Sequence, residues 1–174
     1  MAEIADVLVP GFDTVWRRFL GRLDGLTDDE YLWEPAPVAW TLRPDGTGRW
    51  LIDGEGGGGP APVPVPISTI AWRVGHIGLT LLDYGTRLAE NRLITLDDVG
   101  FGGTADEAVA FLQAHYAHWR GAMTGLDDWS RPIGPAFGAH AEQSAADLVL
   151  HVLDELTHHA AEVGVLRDLY PYRA

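Results

Sequence analysis

Residues 148–170, LVLHVLDELTHHAAEVGVLRDLY, combine an apolar helix-forming pattern with closely spaced histidine and acidic residues. His151, Glu155, His159 and Glu162 follow one another at steps of four, four and three, which places them on one face of an α-helix. Apolar residues flank this face, so the polar stripe borders the core instead of lying opposite it. The segment predicts a long helix that carries metal-capable side chains beside a core.

Three more runs have apolar residues at helical spacing. They cover residues 4–24, 67–92 and about 104–126, and the quoted run belongs to a fourth helix of about 144–170. Because four long helices with small connections bury their apolar faces best against one another, we predict an all-α fold, a four-helix bundle. Capping boxes mark three helix starts, at Thr27–Glu30, Thr104–Glu107 and Ser144–Asp147.

The segment between the first two long helices, residues 36–66, changes character. VAWTLRPDGTGRWLID (38–53) alternates around a turn at residues 44–46, which predicts a β-hairpin. The stretch GEGGGGPAPVPVP (54–66) follows; we interpret it as a flexible crossover, with a lid over a pocket as the alternative. The predicted organisation is one domain, residues 1–174, with this insertion.

Composition narrows the classes of partner. Nucleic acids and anionic membranes bind basic protein surfaces, whereas this chain has a net charge of −13. Neither is therefore expected as a partner. The chain has no cysteine, so any thiol chemistry requires a thiol on another molecule. With no membrane-spanning apolar run and no signal-peptide pattern, we expect a cytoplasmic protein.

The polar stripe and one histidine of the second helix together suggest a metal site. Glu155 and His159 lie one helical turn apart and could both bind one ion at about 2 Å. His76 lies in AWRVGHIGLTLLDY (71–84), where a lone histidine is more often a hydrogen-bonded core residue, but the facing pair favours a third ligand. Three protein ligands leave a coordination position open. Zinc suits this ligand set best, and the ligand types do not exclude nickel, iron or manganese.

Three stretches resemble the DinB-like superfamily of four-helix bundles, which includes mycothiol-dependent maleylpyruvate isomerases. They are GLTDDEYLWEPAPVAWTL (25–42), WRVGHIG (72–78) and ELTHHAAEVGVLRDLY (155–170). The resemblance covers most of the chain and leaves the glycine-rich stretch unmatched. It implies an up-down-down-up bundle with a small hairpin and loop insertion between the first two long helices, and it makes a homodimer plausible.

The resemblance also implies a ligand set. His76 matches the ligand of the second helix and His159 the last histidine of the fourth helix, while Glu155 stands at the intermediate ligand position. Many DinB-like proteins have histidine at that position, whereas the mycothiol-dependent isomerases are similar to this chain in having glutamate. The expected cofactors are therefore a divalent metal and a low-molecular-weight thiol such as mycothiol.

The resulting hypothesis is a metal-dependent thiol transferase or isomerase acting on a small molecule. A metal-bound thiol loses its proton, and its thiolate would attack an electrophilic carbon. Two alternatives stay open: a hydrolase that activates water at the same site, and a non-catalytic bundle that binds a small ligand or partner.

Two further residues of the stripe are candidate catalytic residues. Glu162 could orient a ligand or act as a base, or could simply pair with an arginine such as Arg167. His151 could act in catalysis or be a fourth ligand, and the alternative is a hydrogen-bonded residue of the core or rim.

Overall fold

The computed structural model describes residues 3–55 and 62–173, which form four long α-helices, one short α-helix, three short 3-10 helices and four short strands. This confirms the predicted all-α class with a small strand insertion. Residues 56–61, six of the 13 residues of the predicted crossover or lid, lie outside the described residues. The helices are α1 (Ile4–Leu23), α2 (Asp28–Tyr31), α3 (Ile70–Glu90), α4 (Ala105–Thr124) and α5 (Ala145–Leu169).

The helix starts follow the capping signals of the sequence. Thr104 with Glu107, and Ser144 with Asp147, form capping boxes at the starts of α4 and α5, as predicted. At α2, Thr27 accepts the backbone N–H of residue 30, so only half of the predicted box forms. Local hydrogen bonds therefore set where the long helices begin.

Matched contacts define the directions of the helices. Gly78 faces Phe111 and Gly85 faces His118, so α3 and α4 run parallel. Between α3 and α5, Arg73 bonds Glu162, and Tyr84 lies beside His151. The residue number therefore rises along α3 as that of the contact partner falls along α5. These two helices are therefore antiparallel.

The first long helix completes the bundle. Asp13 of α1 bonds Arg120 late in α4, whereas Leu23 at the end of α1 lies beside Ala105 at the start of α4, so these helices are antiparallel. The order is therefore up-down-down-up, as the resemblance implied. Pro10 lies inside α1, which continues through it as one helix. The largest fully buried side chains between the helices include Trp119, Phe12, Phe19, Leu112 and Leu156.

The insertion between α2 and α3 contains two strand pairs. Strands β2 (Leu42–Pro44) and β3 (Trp50–Ile52) form the predicted antiparallel hairpin. Strands β1 (Ala39–Trp40) and β4 (Ile67–Ser68) pair in parallel, which the sequence pattern did not predict. This pairing places both ends of the insertion beside the start of α3, where His76 lies.

Candidate metal centre

Three side chains from α3 and α5 meet between the helices. The Nε2 atom of His76 lies 3.4 Å from Oε2 of Glu155, and Nε2 of His159 lies 3.5 Å from the same oxygen. All three donor atoms lie within 4.8 Å of one another. The antiparallel packing of α3 on α5 thus brings the three predicted ligands together; that they bind a metal stays a prediction.

A carboxylate holds the outer nitrogen of each histidine. Nδ1 of His76 lies 2.6 Å from Oε1 of Glu55, and Nδ1 of His159 lies 2.6 Å from Oε2 of Glu162. An imidazole that donates Nδ1–H to a carboxylate keeps the Nε2 lone pair free, and this arrangement commonly orients metal-binding histidines. In that tautomer, the free lone pair of each histidine is on the nitrogen atom nearest Glu155.

Aromatic packing restrains the first histidine. The ring of Trp72, one helical turn before His76, stacks on the imidazole at 4.9 Å with 6° between the planes. The rings of His76 and His159 meet edge to face at 4.7 Å. The Trp72 indole N–H donates to the carbonyl of Asp53 at 2.7 Å. The tryptophan therefore joins the insertion to the site.

Arg73 is the arginine that pairs with Glu162. Its guanidinium donates to Oε2 of Glu162, the oxygen that also lies 2.6 Å from Nδ1 of His159. The Arg73 side chain is only 11% exposed, and burial lowers its pKa to about 10, which leaves it charged at neutral pH. Glu162 therefore contacts both a candidate ligand and an arginine, whereas Arg167 bonds Glu30 instead.

The two histidines differ in how readily they take up a proton. Burial and the neighbouring His76 lower the pKa of His159 to about 4, so this ring is neutral at neutral pH. Burial also opposes protonation of His76, but the carboxylates of Glu55 and Glu155 stabilise the protonated ring, outweigh burial and raise the pKa of His76. Neutral imidazole is the form that binds metal, so protons compete mainly at His76.

His151 lies apart from the three candidate ligands. It is exposed, one turn before Glu155, and its ring lies 5.9 Å from that of Tyr84. The two rings border a cleft of about 410 Å³ between α3, α5 and the segment before α5. Ile133, Phe137, His140, Gln143, Asp147 and Leu148 line the rest of this cleft.

A second group of possible ligands overlaps the first. His158, His159 and Glu162 also offer donor atoms within 4.8 Å of one another. His158 is exposed, and Glu162 is already bonded to Arg73 and His159. The described contacts of Glu155 include no arginine, so its carboxylate is available to a metal ion. The group of His76, Glu155 and His159 is therefore the stronger candidate.

The sequence patterns missed three residues of the site: Glu55, Trp72 and Arg73. Glu55 is the one charged residue in the stretch 54–66, and that isolation was the signal that could have singled it out. Trp72 and Arg73 lie one turn or less before His76, but helical spacing does not indicate which partners they contact.

The arrangement defines a class of protein: a four-helix bundle with a His-Glu-His cluster between two antiparallel helices. A sequence model of the DinB superfamily matches residues 11–163. The chain belongs to the DinB superfamily. No curated protein and no solved structure gives a significant match. No helix in the ranges 3–55 and 62–173 is long and apolar enough to cross a membrane.

Proposed function

We propose that this protein is a metal-dependent enzyme that binds one divalent ion through His76, Glu155 and His159. One observation carries the proposal: two Nε2 atoms and one carboxylate oxygen converge, while carboxylates hold both outer imidazole nitrogens. Two imidazoles and a carboxylate suit zinc, and nickel, iron and manganese accept the same ligands. When bound, the ion would lower the pKa of a thiol or water in its open position.

We further propose that the activated group is a low-molecular-weight thiol such as mycothiol, which is transferred to, or assists isomerisation of, an electrophilic small molecule. The absence of cysteine means that the sulfur must come from outside the chain. Glutamate at position 155, as in the mycothiol-dependent isomerases that the chain resembles, favours this chemistry over water activation.

The chain's own residues have distinct roles in this proposal. Glu162 holds His159 in its ligand orientation, and the buried Arg73 holds the Glu162 carboxylate in place. The cleft beside His151 would hold the body of the substrate, since it begins one turn from Glu155. His151 is exposed there and could exchange a proton with a bound molecule.

Metal content of untagged protein, measured by elemental mass spectrometry, tests the site. We expect about one equivalent of zinc or another divalent ion in the wild type. His76→Ala, Glu155→Ala and His159→Ala should lose it. His158→Ala, which removes an adjacent exposed histidine, should retain it. Loss in His158→Ala with retention in His76→Ala would instead locate the ion at the overlapping group, and no metal after supplementation would overturn the proposal.

Cobalt-loaded protein then tests the thiol. A thiol that binds the ion should produce a sulfur-to-cobalt charge-transfer band, and the same thiol blocked by methylation should not. With metal bound but no such band for any small thiol, the water-activating hydrolase becomes the better interpretation of the same site. Without metal, the cluster is a buried polar network in a non-catalytic bundle.

A further inference from the structure

We infer that Glu55, from the insertion, is a positioning residue for the metal centre: its carboxylate holds His76 with Nε2 free and directed at Glu155 and His159. The inference rests on the proposed function. It goes beyond that proposal by assigning the insertion a role in building the site.

The contact itself is short and well shielded. Oε1 of Glu55 lies 2.6 Å from Nδ1 of His76, and the two side chains are 25% and 20% exposed. A hydrogen bond to an ionised carboxylate in a partly buried setting is stronger than a neutral one. Without this acceptor, the imidazole is free to carry its proton on Nε2, where it would block a metal ion.

The two candidate histidines obtain their outer carboxylates from different sources. Glu162 lies three residues from His159 on α5, so one helix presents both groups. Glu55 lies 21 residues before His76 and outside any helix or strand. The orientation of His159 therefore depends on helix geometry, whereas that of His76 depends on how the insertion folds back on α3.

Contacts of the preceding residues fix the position of Glu55. The Asp53 carboxylate accepts the backbone N–H of Thr41 and Nε of Arg43, each at 3.0 Å. The backbone carbonyl of Asp53 accepts the indole N–H of Trp72, and the Trp72 ring stacks on His76. Trp72 therefore contacts both Asp53, which precedes Glu55 by two residues, and His76, the residue that Glu55 holds.

Gly54 allows the chain to reach His76 from this anchor. Its φ of +74° is a conformation that residues with a side chain rarely adopt, and an added Cβ would lie 2.8 Å from the ring of Trp40. Trp40 in turn stacks on Trp72 at 5.8 Å. The turn from Asp53 to Glu55 is therefore packed closely against the tryptophan pair beside the site.

Metal affinity measured by competition with a chelator tests the inference. Outer partners of metal ligands are typically worth about 10–100-fold in affinity, and we expect Glu55→Ala to weaken zinc binding in that range. Glu55→Gln should fall between Glu55→Ala and the wild type, because its amide oxygen still accepts from Nδ1–H. Glu34→Gln, which removes one carboxylate paired with Arg43 near the hairpin, should match the wild type. Wild-type affinity in Glu55→Ala would overturn the inference.

Nitrogen-15 NMR of the metal-free protein gives a second, independent measurement. At a pH where His76 is neutral, its proton should reside on Nδ1 in the wild type and in Glu34→Gln, and should populate Nε2 in Glu55→Ala. An Nε2 proton in the wild type would refute the positioning role. Since this readout needs no metal, the role of Glu55 can be tested even if the proposed metal site fails.

Discussion

Asp13 of α1 bonds two side chains of α4 and so joins the two helices. It accepts the Tyr116 hydroxyl at 2.5 Å and two guanidinium nitrogens of Arg120 at 2.8 and 2.9 Å. The bond from Arg120, reinforced by Tyr116, lowers the pKa of Asp13 from 3.8 to about 2, although burial acts in the opposite direction. The ionised carboxylate therefore stabilises the packing of α1 against α4.

Asp13→Asn should lower the free energy of unfolding by about 1 kcal/mol at neutral pH. Because the folded pKa is depressed, the contribution is present above the ordinary value of 3.8 and is lost as pH falls toward about 2. Urea unfolding across this range should show the gap between variant and wild type closing in acid. The exposed Asp127→Asn is the control; a gap that stays constant below pH 3.8 would contradict the assignment.

Acidic residues also show how far sequence spacing predicts an individual contact. Thr27 caps α2 as predicted, but the Glu30 side chain turns away from the cap and bonds Arg167 at 2.9 Å. Glu162 was predicted to orient a ligand, act as a base or pair with an arginine such as Arg167, and the arginine it contacts is Arg73. The kinds of contact were predictable, whereas the long-range partners were not, because they depend on helix packing.

At the scale of elements, the parallel contact between α3 and α4 relies on glycine. Gly78 and Gly85, two turns apart on α3, face Phe111 and His118 on α4. An added Cβ at Gly78 would lie 2.1 Å from the ring of Phe111, which packs on Phe101 and His115 and so has little freedom to move aside. The absence of side chains on this face lets the two helices approach closely.

Gly78→Ala should therefore destabilise the protein by about 1–3 kcal/mol, since overpacking must displace α4 or Phe111. Gly121→Ala is the matched control: it lies in α4 with nothing within 4 Å of an added Cβ. There the better helix propensity of alanine should leave stability unchanged or raise it by up to about 1 kcal/mol. Thermal unfolding of both variants measures the difference, and equal stability would show that the helices separate at no cost.

At the scale of the whole molecule, the candidate metal centre draws on three separate parts of the chain. His76 comes from α3, Glu155 and His159 from α5, and Glu55 from the insertion. An unfolded chain cannot bring these groups together, so an ion that binds them favours the folded state.

Zinc should therefore stabilise the wild type against thermal unfolding, by about 2.7 kcal/mol when its free concentration is 100 times the dissociation constant. His76→Ala should lose this response. Magnesium should have little effect on either protein, because it prefers oxygen ligands. Differential scanning calorimetry with each ion makes the comparison, and an equal response to zinc in wild type and variant would place the ion elsewhere.

The sequence by itself determined the four long helices, the hairpin, two complete capping boxes and the presence of His151, Glu155, His159 and Glu162 on one helix face. These features follow from local rules, since helical periodicity and capping depend on residues three or four apart. Family resemblance supplied the order of the helices, which their contacts confirm.

Only the tertiary structure decided which groups surround the candidate ligands. The bond from His76 to Glu55 spans 21 residues and that from Arg73 to Glu162 spans 89, and the parallel pairing of β1 with β4 was likewise not predicted. Such contacts depend on the relative placement of elements that are distant in sequence. Spacing along the chain determines which side chains share a face, but the packing of α3, α5 and the insertion determines what that face meets.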